Sequence, residues 1–391
     1  MPLDKCSLDH DEKFNMKIRI KLFFLNALIL PFLMNTAWGQ TAFIDRFASV
    51  SPASEYESAI VNAREQIQVV IDNGAPGVSI AVGVDQQLVW AEGFGYSNIE
   101  NRAPVTPLTK FRVGSIAKPM TSIAMALLYE EGLLDLDASI QEYVSYFPVK
   151  EKGAISLRLL ASHRAGIRHY LPDSSDNFIT KHYDDVKDGL EVFADDPLIA
   201  IPGDRYSYSS HGYNLIGVAL QEASGQDFLS LMRQRVFSPL KLTATVADHT
   251  DYIIENRAAP YTRQEDGRLR NAPYVDNSYK WPSGGFLSTP SDLVKFGFGV
   301  FNGDIIKDET LKLLLSPPML PSGEIAEQDY GLGWSQFGEW YGHTGGSVGG
   351  NTLFMAHPEH NVVVAIVCNL TSCLRGMNRL LEIGNFFVNE I

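Results

Sequence analysis

Ser115-Ile116-Ala117-Lys118 stands where Gly114 ends a loop and a long helical pattern begins. Spaced three apart at a helix start, the hydroxyl and the amine project from one face. The amine can then take the hydroxyl proton, and the helix N-terminus favours the negative charge that develops. The pair alone is a weak signal, because ordinary Ser and Lys frequencies yield roughly one SxxK per chain of this length. Ser238-Pro239-Leu240-Lys241 repeats it with no comparable helix after it. A second candidate nucleophile is Ser347, in Gly345-Gly346-Ser347-Val348-Gly349, which fits GxSxG. That motif makes a nucleophile elbow only between a strand and a following helix. Here another strand pattern follows through Asn351 and Phe354. Gly345 and Gly346 therefore read as a strand edge along which a substrate backbone can pair closely. A third segment, Pro202 to Tyr213, carries Tyr206, Tyr208, His211 and Tyr213, as acid/base groups or as loop packing.

These residues need elements to hold them. Glu55 to Ile71 has helical apolar spacing (Ile60, Ala63, Ile67, Val70, Ile71) and ends at the stop signal Asn73-Gly74. Two strand patterns follow, Val78 to Val84 and Gln87 to Phe94, joined across Asp85-Gln86 as a hairpin. After Ser115 the helical pattern runs through Ala124, Leu127 and Leu128 to Gly132, and helix and loop patterns dominate to about residue 270. Strand patterns return at Gly331 to Gln336, Trp340 to His343, Asn351 to Ala356 and Asn361 to Cys368, before a closing helix near Leu380 to Val388. Strands at both ends with helices between them predict an α/β (α+β) fold. One antiparallel sheet flanked by helices is assembled from both termini, with a mostly helical lobe inserted. The expected lobes are about 50–112 plus 275–391 and about 113–274, within a single catalytic domain over 40–391. The cleft between the lobes is where a site is expected.

Lys17, Arg19 and Lys21 precede an apolar stretch from Leu22 to Met34, and Ala37-Trp38-Gly39 follows as a small-x-small pattern. Residues 1–39 read as a secretory signal cut before Gln40, with Met16 as an alternative start. The stretch is short for a span of roughly 20 apolar residues. The protein is therefore expected to be periplasmic or secreted with no stable membrane span, an uncleaved N-terminal anchor being the alternative. Among 391 residues, 32 are basic and 46 acidic, a net charge of −14. Such a surface repels phosphate backbones, which argues against nucleic-acid binding. Cys6 leaves with the leader, while Cys368 and Cys373 remain in an oxidising compartment, either bridged or as two buried thiols. No Cys/His cluster has zinc spacing, and His357-Pro358-Glu359-His360 reads as a solvated turn, so neither metal nor other cofactor is expected.

In combination the motifs resemble the serine β-lactamase and penicillin-binding-protein superfamily, in its class C-like branch, whose signature orders SxxK, Tyr-x-Asn and Lys-Thr-Gly. Here the order is Ser115-x-x-Lys118, Tyr208-Ser209-Ser210 and His343-Thr344-Gly345. The phrases Leu160 to Ile167 and Gly284 to Thr289 are similar to the family's as well. Gly166 to Tyr170, Tyr274 to Trp281 and the His-Thr-Gly-Gly variant resemble its mitochondrial serine β-lactamase-like branch. The resemblance spans about residues 55 to 385.

The resemblance implies roles residue by residue. Ser115 is the acylated nucleophile, Lys118 its proton acceptor, and Tyr208 the general acid/base that protonates the leaving group and later activates water. The N–H groups of Ser115 and Gly346 form an oxyanion hole, and Ser210, His343, Thr344 and Gly345 bind substrate. A free lysine, with a pKa near ~10.4, is too protonated to act as a base at pH 7, so burial and Tyr208 must support its neutral form. Two positions depart from the pattern. Ser210 replaces an amide with one short hydroxyl, and His343 replaces a permanent cation with a group of pKa near ~6.5. The second departure predicts a firmer grip on anionic substrates at mildly acid pH. Both point away from β-lactams and toward an exported serine hydrolase of peptide, amide or ester bonds, peptidase-like first. D-alanyl carboxypeptidase, esterase and weak β-lactamase activity are alternatives, and a non-catalytic filament-forming or binding protein is the reading from another class. The implied partners are a small-molecule or peptide substrate and copies of the chain itself, in a homo-oligomer or filament.

Overall fold

A single apolar stripe of Ala59, Ile60, Ala63, Ile67 and Val70 makes helix α1 (Glu57–Asp72) a one-sided element that must pack on a sheet. The sheet follows at once, as the hairpin of β1 (Gly77–Val84) and β2 (Gln87–Asn98). Its turn residues Asp85 (φ 48°) and Gln86 (φ 65°) are both left-handed, as a two-residue type I′ turn requires. This computed structural model describes residues 53–171, 175–319, 323, 329–374 and 377–391. The leader expected over residues 1–39, with Met16 and Cys6, lies outside the described residues.

Along the chain come β3 (Ala103–Pro104), β4 (Phe111–Arg112), α2 (Ala117–Glu130), α3 (Ser210–Ser224), β5 (Val246–Ala247), β6 (Tyr261–Arg263) and β7 (Leu269–Asn271). Next are α4 (Trp281–Gly284), β8 (Phe286–Ser288), α5 (Pro290–Phe301), β9 (Ser335–Phe337), β10 (Trp340–Ser347), β11 (Gly350–His357), β12 (Val362–Cys368) and α6 (Met377–Val388). The main sheet has the order β3-β2-β1-β12-β11-β10-β9 and is antiparallel throughout. N- and C-terminal strands meet at its centre, where Val78 lies opposite Cys368 and Val84 opposite Val362. This is the antiparallel sheet, flanked by helices and built from both termini, that the hydrophobic patterning predicts.

β12 is buried along its whole length because both its faces are covered. Val362, Val364 and Ile366 join the core under α1 and α6, and Val363, Ala365 and Val367 join the core shared with α5 and the helices α2 and α3. Each large apolar side chain so buried contributes about 1.5–3 kcal/mol. α5 lies tight on the sheet at Gly297, where a Cβ would come within 2.6 Å of Val363. Cys368, ending β12, is joined to Cys373 in a disulfide, which ties the last strand to the segment before α6. No helix among the described residues is long and apolar enough to cross a membrane.

Two local expectations are corrected. Gly331 to Gln336 is not one strand: β9 begins only at Ser335. Gly333 adopts φ 94° and packs against Ser122 and Tyr213, so the chain turns inward and seats Trp334 in the core against Phe296. His357 is not in a solvated turn but is the buried last residue of β11, edge-on to the Trp340 ring. The described residues hold no group of His, Cys, Asp and Glu that could bind a metal.

Candidate active site

Gly114, at φ 54°, turns the chain into a 3₁₀ turn (Gly114–Ile116) that leads into α2, so the α-helix proper begins two residues after Ser115. A 3₁₀ turn nearly eclipses residues three apart, which places Ser115 under Lys118. Lys118 Nζ lies 3.0 Å from Ser115 Oγ, 3.1 Å from Ser210 Oγ and 2.8 Å from the Ser283 carbonyl. The amine is fully buried, and desolvation, aided by the charge of Lys280, holds it well below the usual lysine range. A neutral amine has two N–H groups and one lone pair. Ser283, an obligate acceptor, takes one hydrogen and Ser210 Oγ takes the other, which leaves the lone pair for the Ser115 hydroxyl. Tyr208 donates to Ser115 Oγ from the other side at 2.9 Å, and burial raises its phenol so that it stays protonated. Ser210 is therefore turned toward Lys118 and helps position it.

The third motif lies on β10, whose edge is free of β9 beyond Gly342. Thr344, Gly346 and His343 line a cleft of about 670 Å³ that also contains Ser115, Tyr208 and Ser210. Gly345 does not, and its expected contact with substrate is corrected. A Cβ there would collide with the Val113 carbonyl oxygen, so the residue's missing side chain serves the protein's own packing. Gly114 likewise sits where a Cβ would come 2.5 Å from the Gly346 carbonyl oxygen. Together these glycines bring the Gly346 peptide against the turn that carries Ser115, and Gly346 itself faces open space. Gly345→Ala is expected to cost about 1–3 kcal/mol through overpacking. By pulling Gly346 away from Ser115 it should also slow acylation about 100- to 1,000-fold. Denaturant unfolding and labelling rates check this, and an unchanged unfolding midpoint would refute the packing argument.

His343 is placed in the cleft wall but not as a titrating grip for anions. Burial pushes it down to about 3, so it stays neutral from pH 5.5 to 8, and it gives no acid-strengthened grip on anions. Its neighbours show what it does instead. The Ser209 N–H donates to His163 Nδ1 (3.1 Å), His163 Nε2 meets Tyr330 Oη (3.1 Å), Tyr330 Oη meets His343 Nε2 (3.0 Å), and His343 Nδ1 meets the Thr344 carbonyl (2.5 Å). One end is a backbone donor and the other a backbone acceptor, so each imidazole carries one hydrogen and every bond runs the same way. This chain ties the residue after Tyr208 to β10, and the Tyr208 ring rests on His163 with centroids 4.2 Å apart. Tyr330→Phe would leave two buried ring nitrogens without partners and is expected to cost about 1–3 kcal/mol. Urea titration reads the cost, and a wild-type midpoint would show that the chain carries no stability.

Ser347, the alternative nucleophile, ends β10 in a hairpin turn and hydrogen-bonds only the Gly350 carbonyl among the described residues. Ser238 and Lys241 line a different groove. His163, Tyr330 and the pair Lys280 and Ser283 escaped the reading of spacing because they reach the site from three separate stretches of the chain. His163 and Lys280 do lie within phrases that resemble the family's, which was the one signal available for them.

The Beta-lactamase family model matches residues 57–380. The mitochondrial serine beta-lactamase-like protein LACTB of Homo sapiens is 31% identical, with 81% of this chain and 78% of that protein covered. Among solved structures, the octameric penicillin-binding protein homologue from Pyrococcus abyssi has a TM-score of 0.72 at 25% identity, covering 84% of this chain and 77% of its own. The D-amino acid amidase from Ochrobactrum anthropi SV3 has a TM-score of 0.72 at 23% identity over 84% of this chain and 98% of its own, a likeness of fold.

Proposed function

The chain belongs to the beta-lactamase family, whose members are serine hydrolases, and from that premise we propose that it cleaves a peptide, amide or ester bond through an acyl-enzyme on Ser115. The observation that carries the reading is the buried Lys118, whose two hydrogens are taken by Ser283 and Ser210 while its lone pair faces the Ser115 hydroxyl. Lys118 accepts the Ser115 proton as Oγ attacks the carbonyl carbon. The resulting oxyanion sits against the N–H of Ser115, in the turn that leads into α2, and the N–H of Gly346 on β10. Tyr208 gives its proton to the leaving nitrogen or oxygen and regains the one that Lys118 took from Ser115, which leaves both groups as they began. In deacylation water attacks the ester and its proton returns along the same pair, releasing the acid and restoring Ser115.

A peptidase-like specificity is the first reading within this class. The edge of β10 beyond Gly342 is free to pair with an extended backbone, and Thr344 presents a hydroxyl there with no partner among the described residues. The leader over residues 1–39 supports a periplasmic or secreted location, which N-terminal sequencing of the exported protein tests. Incubation with a fluorophosphonate probe, digestion and mass spectrometry tests the chemistry. A single adduct on Ser115 is expected. An adduct on Ser347, or none on a folded protein, overturns the reading, and the latter would favour a binding or assembly role.

A further inference from the structure

Lys280 closes the one-turn helix Ser278–Lys280 that precedes α4, on the wall of the cleft that also supplies the Ser283 carbonyl to Lys118. It is 4% exposed, yet it lines the cleft, and its ammonium has no hydrogen-bond acceptor among the described residues. Among the described residues its close partners are the rings of Tyr279 and Tyr170, with centroids 5.2 and 5.6 Å from Nζ. Asp248 is a carboxylate whose charge acts on it, but that charge is already shared. Its Oδ2 accepts from Arg112 (2.7 Å) and Asn277 (2.7 Å), and its Oδ1 faces Arg257 at 3.7 Å. Burying an ammonium without a counter-ion is costly, and proteins rarely retain one with no use for it. His343, which lines the same cleft, is neutral and cannot supply positive charge.

We propose that Lys280 is the anion anchor of this cleft and that the protein acts on acyl compounds bearing a carboxylate, such as the free end of a peptide. The proposal rests on the acyl-transfer reading of Ser115. A bound carboxylate supplies the acceptor that Lys280 lacks, and the two tyrosine rings hold the ammonium toward the cleft. The groups facing Lys280 are Tyr170 and Tyr279, the Arg112–Asp248 pair, Lys118 and the neutral His169. Burial and the charge of Arg112 push Lys280 down to about 7. Its cation is therefore present below that pH and is lost above it, so preference for a carboxylate weakens as pH rises.

The test uses calorimetric binding of phenylacetylglycine and its neutral amide to the Ser115→Ala protein, which cannot turn over. At pH 6 the acid is expected to bind about 10- to 100-fold more tightly than the amide. Lys280→Gln should abolish that ratio and Lys280→Arg should keep it. The ratio should fall by pH 8.5 with Lys280 and stay flat with arginine. Equal binding of acid and amide, a ratio that survives Lys280→Gln, or one that grows with pH overturns the proposal. Should Lys280→Gln not fold, the pH series on the lysine protein decides alone. Failure of the Ser115 reading would show separately, as absence of the fluorophosphonate adduct while the carboxylate preference persists.

Discussion

Ser115→Ala is expected to lower kcat/KM for a 4-nitrophenyl ester or a peptide about 10⁴- to 10⁶-fold, because the residue that forms the covalent bond has no substitute in the cleft. The fold should survive the change. Alanine fits the 3₁₀ turn, Lys118 keeps its bonds to Ser210 and Ser283, and no packing group is removed. The residual rate would come from the oxyanion donors and binding alone. Ser347→Ala is the matched control, since Ser347 lines the same cleft without a base beside it. Activity in Ser115→Ala within tenfold of wild type would refute the assignment of the nucleophile. Loss in the Ser347 variant instead would move the site to the hairpin turn.

Lys118→Met should cost about 10²- to 10⁴-fold in kcat/KM, the range associated with removing a general base. Methionine approximates the volume of the lysine stem but leaves the buried Ser283 carbonyl and Ser210 hydroxyl without their donor, so a stability loss of about 1–3 kcal/mol is expected beside the loss of rate. The pH profile separates a base from a structural lysine. Only the neutral amine can accept the Ser115 proton, so the rate falls toward acid as Lys118 protonates. Burial and Lys280 hold that midpoint well below the ordinary lysine value, so activity should reach its plateau well before the pH at which a solvated lysine loses its proton. A profile that keeps climbing toward pH 10 would mean that Lys118 titrates as a solvated lysine, and the proposed geometry of its three partners would be wrong.

Much of the architecture was legible because it is written in local periodicities. The stripe of α1, the left-handed pair Asp85-Gln86 and the continuous apolar run of β12 each respond to their immediate neighbours or to burial on two faces. Ser115 and Lys118 were legible for the same reason, since one turn of helix suffices to stack them. The errors lie where a distant contact overrides a local pattern. Gly331 to Gln336 reads as a strand until Gly333 meets Ser122 and Tyr213. His357 reads as solvated until Trp340 covers it. Gly345 reads as substrate contact until Val113 occupies the space beside it.

By itself the order of residues determined which groups could do chemistry and which segments are strands and helices, because spacing and side-chain type act over a few residues. Only the tertiary structure decided their ionisation and their partners. Lys118 is held neutral by burial between α2, Ser210 and Ser283. His343 is neutralised by the same desolvation and joined through Tyr330 to His163. Lys280 is left as the buried cation that meets the cleft. Desolvation and hydrogen-bond satisfaction depend on which groups from separate segments are brought together, and no spacing along the chain records that.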